Sequence, residues 1–178
     1  HLLGVVDSLL DLSRIEGGQI ELAPQMVSLS EVVEGVRKIL TPEAAMREVR
    51  IAHRIPDGAE VWVDPVALRQ ILLNLLKNAV KFSKDGGEVR IAAAGGDDLV
   101  MIRIEDDGVG MDQTTLNRLG EPFARAAHVA GSDRQGAGLG VAIVIRLVGR
   151  SGGRVKFNSE PGRGARVDIL LPSQPQEL

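Results

Sequence analysis

The sequence contains no cysteine and no tyrosine, and its aromatic residues are few: Trp62, Phe82, Phe123 and Phe157. Without cysteine there is no disulfide framework, no thiolate metal site and no cysteine nucleophile. With so few rings, Leu, Val and Ile must fill the core, and each Phe calls for a specific reason. No apolar run approaches the roughly 20 residues that span a bilayer, and no signal-peptide pattern is visible. Nor is there a basic excess. The 21 Lys and Arg against 24 Asp and Glu give a net charge of -3, which argues against a general nucleic-acid binder. Internal repeats and low-complexity stretches are lacking too. What is present is a chain of 178 residues, 44% hydrophobic, enough for one domain and a short appendage. The chain opens on His1 rather than Met, and the expectation is a fragment of a longer protein.

Periodicity places the elements. Residues 1–16 put Leu2, Val5, Leu9 and Leu12 at the spacing of a helix that packs on another helix, and Gly17 and Gly18 end it. QIELAP alternates like a strand. In SLSEVVEGVRKIL, Ser28 or Ser30 suits a cap, and Val32, Val36 and Ile39 recur at helical spacing. Thr41-Pro42 interrupts that pattern, and EAAMREV can continue it. VRIAHRIP and EVWVD read as two strands joined by the turn PDGA. Asp64-Pro65 then opens a central helix with a cap and a proline at the first helical position. Its core face is Leu68, Ile71, Leu72, Leu75, Leu76 and Ala79, and it should end near Ser83. EVRIAAAG and LVMIRIEDD form a strand pair around GGDD, and a short helix follows at MDQTTLNRLG. Residues 120–137 lack periodicity and read as a mobile loop. GLGVAIVIRLVGRSGG reads as a buried helix, and RVKFNSE and ARVDILLP as closing strands around PGRG. The mixture predicts an α+β two-layer sandwich.

Three clusters carry chemistry. The central helix bears Asn74, Asn78, Lys81 and Phe82 at i, i+4, i+7 and i+8, on one face beside the leucines. Asparagine concedes on the order of half a kcal/mol against Ala inside a helix, so two of them four apart need a reason. An amide oxygen suits Mg²⁺, an ammonium suits phosphate, and a ring suits a purine. A solvated face with a stray Phe fits the same spacing. The second cluster, IEDDGVGMD, puts Asp106 at a strand end, with Gly108 and Gly110 permitting close backbone approach. A carboxylate there could accept from an exocyclic amine; an ordinary acidic turn is the alternative. The third, GAGLG, sets Gly136, Gly138 and Gly140 before an apolar helix, a phosphate-binding pattern or a plain hinge. It is neither a P-loop nor a dinucleotide fingerprint.

Taken in order, the clusters resemble the catalytic ATP-binding domain of sensor histidine kinases. NLLKNAVKFS is similar to that family's asparagine box, DDGVGM to its first glycine box, EPFARA to its phenylalanine box and GAGLGVAIV to its second glycine box. SEPGRGARVDILLP matches the closing hairpin, and LLDLSRIEGGQIEL resembles the end of the dimerisation helix and the link that follows. The resemblance covers nearly the whole chain. It implies a Bergerat-type fold: a mixed, mostly antiparallel sheet with helices on one face. It divides the chain into 1–18 (helix end and linker), 19–173 (ATP-binding domain) and 174–178 (polar tail).

By the same resemblance ATP and Mg²⁺ are the ligands. Asn78 would hold the metal with help from Asn74, and Lys81 would contact phosphate. Phe82 would lie against adenine and Asp106 would accept from its amino group, in a pocket shaped by Gly108 and Gly110. Phe123 and Arg125 would belong to a lid, with Arg125 reaching phosphate. Gly136, Gly138, Leu139 and Gly140 would anchor the lid and cradle phosphates. Asn78, Lys81 and Arg125 would carry catalysis, which in phosphoryl transfer is mainly positioning and charge neutralisation. Implied partners are a second copy, through the parent's dimerisation helices, and a response-regulator receiver domain, with no nucleic acid and no direct membrane contact. A cytoplasmic location follows, whether or not the parent is membrane-anchored.

One departure is plain. The family's phosphoacceptor box, His then an acidic residue and Arg-Thr-Pro, is absent; His1 is followed by Leu-Leu-Gly, and His53 and His128 lie elsewhere. The acceptor is therefore expected on a dimerisation domain outside this chain. Two rival readings remain. ATPases of the same fold place Glu four residues before the metal-binding Asn, where this chain has Asn74, and an amide does not take a proton from water at neutral pH. A degenerate domain that senses nucleotide without transfer is the other.

Overall fold

The computed structural model of the chain describes residues 21–96, 98–123 and 138–175, with the isolated positions 6, 9, 10, 13 and 17 before them. Positions 6, 9, 10 and 13 are helical, and the rest of the helix expected over 1–16 lies outside the described residues. The elements run β1 (Gln25–Ser28), α1 (Leu29–Met46), β2 (Arg50–Arg54), β3 (Glu60–Val63), α2 (Pro65–Phe82), β4 (Glu88–Gly95), β5 (Leu99–Asp106), α3 (Gln113–Asn117), α4 (Gly140–Arg150), β6 (Arg154–Ser159) and β7 (Ala165–Pro172).

Five strands form one sheet in the order β2-β4-β5-β7-β6, in which β2 pairs parallel with β4 and every other pairing is antiparallel. A second sheet is the antiparallel pair β1-β3. Period-two alternation sends Val100, Ile102 and Ile104 of β5, with Ile169 and Leu171 of β7, into the core. Helix α2 lies over β4 and β5 with α1 on one side and α4 on the other. Its Leu68, Ile71, Leu72 and Leu76 are fully buried, each contributing on the order of 2 kcal/mol. The opposite face of the sheet is charged. There Arg103 forks onto its cross-strand neighbour Asp168, with Nε and Nη2 donating at 2.6 and 3.2 Å. This is the two-layer α+β sandwich expected, with the helices on one face of a mixed, mostly antiparallel sheet.

One expectation is corrected. QIELAP is not a strand over its described part: residues 21–24 are irregular and β1 starts at Gln25. Pro24 has no N–H for a ladder, and the Ala23 N–H donates to Asp64 instead, at 2.9 Å. The two strands expected on either side of PDGA are both present. They enter different sheets, β2 beside β4 and β3 beside β1, because strand partners are chosen by tertiary packing rather than by the nearest turn. Helix α1 runs through Thr41-Pro42 to Met46. Burial of Leu40 and Ala44 on either side holds it together, and the Thr41 hydroxyl donates to the Arg37 carbonyl at 2.9 Å. Of the loop expected over 120–137, residues 124–137 lie outside the described residues.

Candidate functional site

Helix α2 positions the first cluster, and its start is set as its sequence demands. Asp64 caps it: one carboxylate oxygen accepts from the Val66 and Ala67 N–H groups at 2.8 and 2.9 Å, while the other accepts from Ala23. Burial alone would raise the Asp64 carboxyl, but the donors Ala23, Ala67 and Val66 outweigh it and hold the group below the usual aspartate range. Leu75, Leu76, Ala79 and Val80 face the core, leaving Asn74, Asn78, Lys81 and Phe82 half-buried beside them. The Lys81 ammonium lies 4.9 Å over the Phe82 ring. The Asn74 amide nitrogen is buried and has no hydrogen-bond partner among the described residues. Such a donor is costly unless a ligand or water uses it.

The Asp-Gly turn after β5 is fastened to the end of that helix. The Val109 N–H donates to the Phe82 carbonyl at 3.2 Å. Asp107 accepts from the hydroxyl of Ser83, which is fully buried, at 3.1 Å. Asp106 Oδ1 accepts from the Gly108 N–H at 2.9 Å, and burial pushes its carboxyl above the usual range. The glycines serve packing here. A side chain on Gly108 would meet the Phe82 carbonyl, and one on Gly110, at φ +67°, would meet the Glu160 carbonyl in the β6–β7 turn. Ser159 completes that contact, accepting from the Met111 N–H at 2.8 Å and donating to the Gly164 carbonyl at 2.6 Å.

The third cluster arrives at the middle of α2. Gly138 has φ +71°, Leu139 is buried, and Gly140 begins α4. A Cβ on Gly140 would lie 3.4 Å from Asn74 Oδ1, so the Asn74 amide faces the bare start of α4. Among the described residues no side chain caps that start, and its N–H groups point where an anion would be favoured. Phe123 is exposed at φ +65°, and Arg125 and Gly136 lie outside the described residues.

The polar face of α2 therefore meets the Asp-Gly turn at its end and the glycine run at its middle. Asn74 and Asn78 offer amide oxygens to a hard cation, and no group of three or more His, Asp or Glu competes for one among the described residues. That donor set fits a metal held chiefly by a ligand's own phosphates. A separate charged cleft of about 830 Å³ includes Asp106, Arg90, Asn158 and Arg166 in its lining but no residue of α2, so it is distinct from this face. Sequence reasoning missed Asp107, Ser83 and Arg47, whose roles depend on partners far away in sequence. Only the second Asp of DDG offered a signal.

The family model for histidine kinase-, DNA gyrase B- and HSP90-like ATPases matches residues 63–175. The chain is 35% identical to the histidine protein kinase DivJ of Caulobacter vibrioides over 173 residues, covering 97% of this chain and 29% of that protein. With the sensor histidine kinase RcsC of Escherichia coli it shares 33% identity over 173 residues, 96% of this chain and 18% of that one. The chain thus spans under a third of the length of either. Among solved structures, full-length ShkA in complex with AMPPNP superposes with a TM-score of 0.85 at 33% identity, covering 97% of this chain and 36% of that one. The Acinetobacter baumannii histidine kinase AdeS shares the fold, with a TM-score of 0.80 at 22% identity, covering 96% of this chain and 77% of that one. With the asparagine-bearing helix, the Asp-Gly turn and the glycine run assembled as described, this chain belongs to the family of histidine kinase-, DNA gyrase B- and HSP90-like ATPases.

Proposed function

We propose that this chain is the ATP-binding catalytic domain of a sensor histidine kinase and transfers the γ-phosphoryl group of ATP to a histidine on a dimerisation domain outside the chain. The observation that carries this reading is the convergence on α2: the Asn74 amide, whose oxygen faces Gly140 and whose buried nitrogen has no partner among the described residues, and the Phe82 carbonyl against the Asp-Gly turn. Asp106 accepts from the adenine amino group, and Phe82 lies against the base. Lys81, the main chain at Gly138, Leu139 and Gly140, and Arg125 from the lid take the phosphates. Asn78 and Asn74 hold Mg²⁺, which when bound neutralises phosphate charge. A ring nitrogen of the acceptor histidine bonds to the γ-phosphorus as the bond to the bridging oxygen breaks. ADP leaves with the electron pair, and the ring proton goes to solvent.

Residues 1–18 belong to the end of the dimerisation helix and its linker, 19–173 to the ATP domain and 174–178 to a polar tail. The parent acts as a homodimer and passes its phosphoryl group to a response-regulator receiver domain, on the cytoplasmic side. Among the described residues no helix is long and apolar enough to cross a membrane.

Asn78→Ala tests the reading. With the parent's dimerisation domain added, the wild type should place label from γ-labelled ATP on histidine, and the variant should lose that label and Mg²⁺-dependent ATP binding with its circular dichroism unchanged. Full labelling by the variant would refute the site. Free phosphate without labelled histidine in the wild type would make the chain an ATPase.

A further inference from the structure

The last turn of α2 carries Lys81 and Phe82, and the final carbonyls of a helix have no partner within it. The Phe82 carbonyl accepts from Val109, and those of Val80 and Lys81 accept from a side chain at the end of α1. Arg47, directly after α1, sends Nη1 to the carbonyls of Val80 and Lys81 at 2.5 Å each. Its Nη2 donates to the Ser83 carbonyl at 2.8 Å and to Asp85 Oδ1 at 2.6 Å. The Arg47 side chain is 19% exposed and that of Asp85 73%, so the carbonyl bonds are the sheltered ones and the ion pair the wet one. A cation there also suits the negative end of the helix dipole. The main chain of Arg47 completes the junction: its N–H donates to Ala44 and its carbonyl accepts from Gly86 at 3.0 Å. On the far side the same turn is held by Val109 and Asp107. Lys81 and Phe82 thus sit in a turn gripped from both sides, one grip coming from α1.

We infer that Arg47 is a positioning residue for nucleotide binding, fixing the Lys81–Phe82 turn against the end of α1. This rests on the reading that the polar face of α2 receives the nucleotide. The geometry makes affinity depend on a residue that touches no ligand, because a planar fork reaches several carbonyls at once and an ammonium does not. Displacement of the turn by a fraction of an ångström moves an ammonium and a ring together.

The test is titration of the chain with Mg²⁺ and a non-hydrolysable ATP analogue, for the wild type, Arg47→Lys and Asp85→Asn. The temperature is one at which circular dichroism shows each folded, so a role confined to stability would leave affinity untouched. Arg47→Lys should bind about tenfold more weakly, the scale of a lost charge-assisted hydrogen bond. Asp85→Asn should bind as the wild type. Equal affinity in the wild type and Arg47→Lys overturns the inference, and so does an equal loss in Asp85→Asn, which would assign the effect to the ion pair. Should Arg47→Lys fail to fold, hydrogen exchange in the wild type decides. The Gly86 amide, bonded to the Arg47 carbonyl, should exchange more slowly once nucleotide binds, and an unchanged rate overturns the inference. A wild type that binds no nucleotide refutes instead the site reading beneath it, and the inference falls with it.

Discussion

Asp106→Asn should move affinity and stability in opposite directions. The Asp106 carboxyl is half-buried at the end of β5, and its Oδ1 accepts from the Gly108 N–H at 2.9 Å. Asparagine preserves that acceptor but replaces the other oxygen with an NH₂ group, which would face the adenine amino group donor to donor. Loss of a hydrogen bond to a charged acceptor is worth about 1.5–3 kcal/mol, roughly 10- to 150-fold in Kd. Stability responds with the other sign. Burial, ahead of repulsion from Asp107, raises the Asp106 carboxyl above the usual range against the pull of its main-chain donors. The folded chain therefore keeps this proton at pH values where the unfolded chain has lost it, so folding is penalised as pH rises from the ordinary aspartate value through the raised one. A neutral amide carries no such penalty, and the melting temperature at pH 7 should be no lower than that of the wild type. Isothermal titration with ATP and GTP, paired with thermal unfolding, reads both signs. An unchanged preference for ATP over GTP would refute the adenine contact. A lower melting temperature together with weaker binding would mean that the substitution had merely damaged the fold.

Two further outcomes test the frame around the site. Asp64→Ala should cost about 1–2 kcal/mol, a shift of several degrees in melting temperature, since it strips the cap of α2 and the tie to Ala23 together. Because the Asp64 carboxyl is held below its ordinary range, its contribution is complete above the ordinary aspartate value and is lost as pH falls through the folded one. The gap between wild type and variant should accordingly close in acid, and a gap independent of pH would contradict the assignment. Gly110→Ala combines a positive φ with a collision against the Glu160 carbonyl, so urea unfolding should show a loss above about 1 kcal/mol.

Much of the frame was legible because it rests on local rules. Asp64-Pro65 is a cap and a first-turn proline, and the six apolar positions read for α2 are all buried. The strand pairs 88–95 with 99–106 and 154–159 with 165–172 follow from alternation around short turns. Long-range choices were not legible. Nothing local to Arg50–Arg54 states that its partner is a parallel strand more than thirty residues on, and nothing near Pro42 shows that tertiary burial outweighs a missing hydrogen bond. The site divides the same way. Asn74, Asn78, Lys81 and Phe82 announce themselves by spacing, and the two asparagines also by poor helix propensity. Arg47 and Asp107 act on main-chain atoms, which look alike in any sequence, and Ser83 acts on Asp107, 24 residues away. Gly108 and Gly110 were legible as necessary glycines, yet the close approach that each permits is to the protein's own carbonyls.

The fold by itself does not separate a kinase from a hydrolase, since the matched family spans both kinds of enzyme. Position 74 bears on that choice. Its side chain is an amide whose oxygen faces the start of α4 and whose buried nitrogen has no partner among the described residues. An amide donates and accepts hydrogen bonds but has no basicity near neutral pH, so it orients a phosphate or a cation without activating water. A carboxylate at the same point would both take a proton and repel the triphosphate. On the proposed reading, Asn74 lets the site hold a nucleotide ready yet leave it uncleaved until a nucleophile is brought from outside. That is what a domain requires when its phosphoryl acceptor belongs to another part of the protein.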